Sequence, residues 1–144
     1  MDVIVTRPER EPVQWRPGTS TVLHAGQVTG ATQVCVIEQW HEPGGGAPTH
    51  RHSGSEETLT VLEGTSEFWV ADERERVEAG ATILIPAGSW HGFENVGQGV
   101  LHIVAVLASG VPLVEYTDEP GVVLEIGTAA RDRRDAHRAP HRAG

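Results

Sequence analysis

The chain has 144 residues, 38% hydrophobic and 22% charged, which suits one folded domain rather than a disordered chain. It holds no lysine and one cysteine, Cys35, which excludes Schiff-base chemistry, a lysine-bearing phosphate loop and an internal disulfide framework. The net charge of −9 divides into −12 over residues 1–130 and +3 over residues 131–144, so the field of the folded part would repel phosphates and disfavours a nucleic-acid partner; none is expected.

In chain order, residues 1–19 read as an extended arm punctuated by Pro8, Pro12 and Pro17, too polar to be a signal peptide. Strand-like runs follow at Thr32–Trp40, Glu57–Leu62, Ser66–Ala71, Ala81–Ile85, His91–Val96, Val100–Leu107 and Pro112–Tyr116. Gly- and Pro-rich turns separate them, among them Pro43–Gly46, Ser53–Ser55 and Pro86–Gly88. Such spacing predicts an all-β sandwich or barrel over residues 20–127. Residues 128–144 form a polar tail, expected to be flexible beyond a short helix around 128–136. The longest apolar stretch, Val100–Ala108, contains His102 and falls far short of the ~20 residues that span a bilayer. No membrane partner is expected, and a cytoplasmic location is.

His50 and His52 are two residues apart, which on a strand puts both imidazoles on one face. Of the two acids that follow, alternation selects Glu57: it shares a face with Leu59 and Val61, whereas Glu56 shares one with Thr58 and Thr60. A carboxylate on the buried face of a strand is costly unless paired or metal-bound. His91 follows the Pro86–Gly88 turn and shares its face with Phe93 and Asn95. Three neutral imidazoles and one carboxylate suit one divalent transition metal per chain (Fe, Mn, Ni, Cu, Co or Zn), with coordination positions left for water or substrate.

Around this cluster, Phe68 and Phe93 are expected to face the interior, and Trp90 to line the mouth. His102 is not oriented by its strand, because both faces are apolar. The run Thr32–Trp40 is equally ambiguous; one of its two orientations carries Gln39 and His41 inward as pocket candidates.

Two spaced motifs run through these residues. Gly44, His50, His52, Glu57 and Gly64 fit G-x5-H-x-H-x4-E-x6-G, and Gly80, Pro86, Gly88, His91 and Asn95 fit G-x5-P-x-G-x2-H-x3-N. In both, the chain resembles the cupin superfamily, in particular the small single-domain, quercetinase-like members. The resemblance implies a cupin β-barrel (double-stranded β-helix or jelly roll) with the metal held inside by His50, His52, Glu57 and His91. It also implies a homodimer acting on a small molecule, with a dioxygenase in which Glu57 doubles as a proton acceptor as the first expectation. A non-oxidative cyclase, isomerase or lyase, and a small-ligand binder without turnover, are the alternatives.

Overall fold

The computed structural model describes residues 3–4 and 13–128, with side chains from Pro17 onward in the second segment. Among the described residues, twelve strands make two antiparallel six-stranded sheets, and the one helical element is a 3-10 turn at Gln27–Thr29. One sheet contains β1 (Val13–Arg16), β2 (Thr19–Ala25), β3 (Cys35–His41), β10 (Leu101–Leu107), β5 (Glu57–Glu63) and β8 (Thr82–Ile85), in that order. The other runs β12 (Leu124–Glu125), β11 (Leu113–Tyr116), β4 (Gly46–Arg51), β9 (His91–Asn95), β6 (Thr65–Val70) and β7 (Glu73–Glu78).

The core lies between the sheets, built from Ile37, Leu59, Phe68, Phe93, Ile103 and Leu107 with their neighbours. Alternation is strict where a strand has one buried face. In β5, Glu57, Leu59 and Val61 are buried while Thr58 and Thr60 are less so, as the sequence pattern predicts.

Where both faces are apolar, the fold supplies the answer. β3 turns Cys35, Ile37, Gln39 and His41 inward. β10 buries Leu101, Ile103, Ala105 and Leu107, which sends His102 to the outer face. β7 (ERERVE) has no apolar alternation and was not anticipated; it forms as a charged edge strand paired only with β6. Within the stretch read as an arm, β1 pairs with β2 as an edge strand. Of the helix expected around 128–136, Thr128 is not helical and residues 129–136 lie outside the described residues.

Candidate metal centre

His50, on β4, stands opposite His91 of β9 and Tyr116 of β11. His52 lies just past the end of β4, in the turn to β5, and Glu57 is the first residue of β5. The loop from β8 to β9 is tied to this turn by the Gly88 N–H, which donates to the His52 carbonyl at 2.9 Å. Gly88 holds a positive φ of 78°, which the turn requires and which side chains disfavour. Two chain segments 39 residues apart, His52 and His91, are thereby fixed to each other.

All four side chains are buried, His91 completely. The metal-ligating atoms of His50, His52 and His91 lie within 4.8 Å of one another. Each imidazole is oriented the same way. The Nδ1–H of His50 donates to the Pro48 carbonyl at 2.7 Å, that of His52 to the Leu113 carbonyl at 2.8 Å, and that of His91 to the Ser89 carbonyl at 2.9 Å. With Nδ1 as the donor, the neutral ring carries its lone pair on Nε2, the tautomer of a metal-ligating histidine.

Glu57 Oε1 lies 3.1 Å from His91 Nε2 and 3.4 Å from His52 Nε2. Neither Glu57 Oε1 nor His91 Nε2 makes a hydrogen bond, although both are buried. Two acceptors face each other at close range, an arrangement that needs a cation or a proton between them. Donors about 2.1 Å from a shared ion at right angles to one another lie ~3 Å apart, so the separations found here fit a divalent metal.

The electrostatics agree. Burial, then repulsion from His91 and His52, holds the His50 imidazole well below its ordinary pKa and hence neutral. Burial would raise the Glu57 carboxyl, but the close His52 and His91 imidazoles outweigh it and hold the group well below the usual carboxylate range. Burial opposes a charged His52, yet Glu57 reverses that and raises its pKa. The cluster therefore carries a carboxylate that only a neighbouring positive charge stabilises.

The remaining candidates divide by position. Phe68 and Phe93 face inward and stack with ring centroids 4.8 Å apart. Trp90 lies under the Arg51 guanidinium, 4.5 Å from ring to charge. Gln39 and His41 point inward at the far end of the barrel. There His41 Nε2–H donates to Gln39 Oε1 at 3.0 Å, Thr19 bonds His41 Nδ1 at 3.0 Å, and Phe93 packs against the His41 ring. At the level of Glu57, β3 contributes Cys35, six residues from His41. His102 stacks on Trp40 outside the barrel and bonds Glu38 at 2.5 Å. Tyr116 is a site neighbour that the sequence did not single out; its ring lies 5.5 Å from that of His50. Its membership in an apolar run (Val114, Tyr116) gave no signal beyond core packing.

The family model of the Cupin domain matches residues 40–107. No curated protein sequence matches the chain. Among solved structures, KdgF from Halomonas sp. superposes with a TM-score of 0.63 at 16% identity, over 70% of this chain and 89% of that one. A sugar phosphate isomerase of the cupin superfamily from Silicibacter pomeroyi gives 0.62 at 20% identity, over 77% of each chain. Oxalate decarboxylase from Bacillus subtilis gives 0.69 at 17% identity; the match covers 76% of this chain but 30% of the decarboxylase. At such identities the likeness concerns the fold. The domain match over residues 40–107, the two-sheet barrel and the three-histidine cluster within it agree: just under half of the chain matches the Cupin domain, and the whole has the fold of the cupin structures named above.

Proposed function

We propose that the protein is a metal-dependent enzyme acting on a small organic molecule that chelates through oxygen, with a dioxygenase reaction as the first reading. The observation that carries it is the convergence of three Nδ1-anchored imidazoles on one another, two of them beside the buried Glu57 Oε1 that makes no hydrogen bond. When bound, a divalent transition metal supplies Lewis-acid polarisation of substrate oxygens and, for a redox-active ion, activation of dioxygen. His50, His52 and His91 hold that metal, with Glu57 as the fourth ligand.

The chain's own contribution is positional and protonic. The Pro48, Leu113 and Ser89 carbonyls keep the imidazoles turned inward without reorganisation during the reaction. Glu57 would double as the acceptor of an enol or hydroxyl proton by detaching transiently as a ligand; a carboxyl held so low is a weak base, so the proton must be an acidic one. The stacked Phe68 and Phe93 keep water out of the barrel beyond the site.

A non-oxidative isomerase or lyase is the second reading, favoured by the fold shared with a cupin sugar phosphate isomerase. A sugar phosphate itself suits this site poorly. Arg51 and Arg74 both lie on the outer face, paired with Glu115 and Glu67. The acidic surface supports the absence of a nucleic-acid partner, and among the described residues no helix is long and apolar enough to cross a membrane. We also propose a cytoplasmic homodimer joined through the outer face of β2, β3 and β10, where His24, Glu38, Trp40 and His102 stand half-buried; light scattering tests the assembly.

Elemental analysis of untagged protein tests the metal reading. Near-stoichiometric Fe, Mn, Ni, Cu or Co that is lost in His50→Ala and kept on removal of residues 129–144 supports it, and leads to oxygen-uptake screening. Zinc directs the reading to isomerase or lyase chemistry. Absence of metal after reconstitution refutes the mechanism and leaves a ligand-binding protein.

A further inference from the structure

The two sheets are not hydrogen-bonded to each other along the side where β8 ends one and β7 ends the other. A cleft of about 840 Å³ opens there, with Phe68, Val70, Val77 and Ile83 in its lining. Register decides which β7 side chains face it. Val77 pairs with Ser66, Glu75 with Phe68 and Glu73 with Val70, and Ser66 and Phe68 are buried. Glu73, Glu75 and Val77 therefore share the inner face, while Arg74 and Arg76 alternate to the outside. Asp72 and Arg74 line the cleft too, but the Arg74 guanidinium lies over Trp69 and is paired with Glu67, which leaves Asp72, Glu73 and Glu75 as the excess charge. Across the cleft β8 (Thr82–Ile85) carries no charge. The lip is thus anionic above an apolar floor.

None of the four candidate ligands lines the cleft, but its lining reaches the loop and strand that position His91. Pro86 and Ser89, from the loop that delivers His91, line it, and the Ser89 carbonyl is the one that anchors His91 Nδ1. Val70 stands opposite His91 in the β6–β9 register. The next residue, Ala71, lines the cleft too and holds a left-handed φ of 52°, with its N–H bonded to the Trp90 carbonyl at 2.8 Å. The turn at the cleft's end is therefore tied to the residue beside His91.

We propose that this cleft seats the body of the substrate beside the metal centre, and that it selects an apolar, ring-sized chelator, neutral or cationic, against dicarboxylates and phosphates. The proposal rests on the metal-centre reading. Val70, Val77 and Ile83 bury the apolar body, and Glu73 and Glu75 repel anions and attract a cationic substituent.

Three bidentate oxygen chelators serve as probes of the cobalt-loaded protein by titration calorimetry: catechol, dopamine (catechol with a cationic arm) and oxalate. Wild type binds dopamine about fivefold tighter than catechol at low salt, the scale of two exposed ion pairs. In Glu73→Gln/Glu75→Gln that preference disappears and oxalate binds several-fold tighter, with cobalt affinity unchanged. Ile83→Trp, which fills the cleft, weakens catechol at least tenfold and leaves cobalt affinity unchanged. Cobalt bound normally, with equal dopamine-to-catechol ratios in wild type and the double Gln variant, overturns the cleft proposal and leaves the metal reading standing. The double variant alters exposed side chains only, so this outcome can be read even if Ile83→Trp fails to fold. Failure of wild type to bind cobalt overturns the metal reading, and the cleft proposal with it.

Discussion

Asn95 belongs to the second sequence motif, yet its surroundings make it a structural lock. It is 2% exposed. Its side-chain amide donates to the His41 and Gly99 carbonyls, each at 2.9 Å, and its Oδ1 accepts from the Gly97 N–H at 2.9 Å. The amide thus joins the end of β3 to the turn before β10. His91 is four residues away along β9, ~13 Å at strand spacing. At about 1 kcal/mol net per bond, with buried partners left unsatisfied, Asn95→Ala should destabilise the protein by about 2–4 kcal/mol. Asn95→Asp is the more discriminating change. An ionised aspartate accepts from Gly97 but faces two carbonyls it cannot donate to, so its folded-state pKa must rise above the unfolded value of ~3.9. A raised folded pKa means stability that is fully present below the unfolded pKa and lost as pH rises through the folded one. The gap between Asn95→Asp and wild type should therefore widen as pH is raised from the acid range to neutrality, then level off. Urea unfolding across that range measures it, with metal content recorded in parallel. The reasoning is refuted if Asn95→Ala lies within about 0.5 kcal/mol of wild type, the level of an ordinary surface change. It is refuted equally if the Asn95→Asp gap does not depend on pH, or if metal binding at saturation is lost while the protein remains folded.

The Arg51 guanidinium lies over Trp90 and bonds Glu115, bracing the strand of His50 against the loop of His91; Arg51→Ala should weaken cobalt binding about tenfold with the fold retained, as read by competition with a chelator. Gly92 packs under Trp69: an added Cβ would lie 2.5 Å from the indole Cζ2 and 2.8 Å from the Ala47 carbonyl oxygen. Gly92→Ala should then displace the ring, break the Trp69 Nε1–H bond to Thr49 Oγ1, and cost about 1–3 kcal/mol, checked by tryptophan emission and urea unfolding. On the outer face, burial would raise the Glu38 carboxyl, but hydrogen bonds and charge from His24 and His102 prevail and lower it. Stability from a lowered carboxylate is present above the unfolded pKa of ~4.3 and lost as pH falls through the folded one. Glu38→Gln should accordingly cost about 0.5–1 kcal/mol at neutral pH and little in acid, measured by unfolding at both.

The sequence by itself determined the all-β class and the choice of Glu57 over Glu56 as the buried acid, and it named the four residues proposed for the centre. Each of these rests on local pattern: turn residues between short apolar runs, fixed ligand spacing, and a period of two with one clearly apolar face. His50 and His52 were read as neighbours on a strand; the strand in fact ends between them, and both imidazoles still turn inward. The tertiary structure alone decided the rest. β3 and β10 are apolar on both faces, so only packing against the opposite sheet could send Gln39 and His41 inward and His102 out. The β7 strand lacks any apolar alternation and exists through its pairing with β6. The anchors of the three imidazoles are backbone carbonyls of Pro48, Leu113 and Ser89, and the Leu113 carbonyl lies 61 residues from the ring it holds. Every residue offers such a carbonyl, so sequence carries no mark of which ones will meet a histidine; chain topology makes that selection.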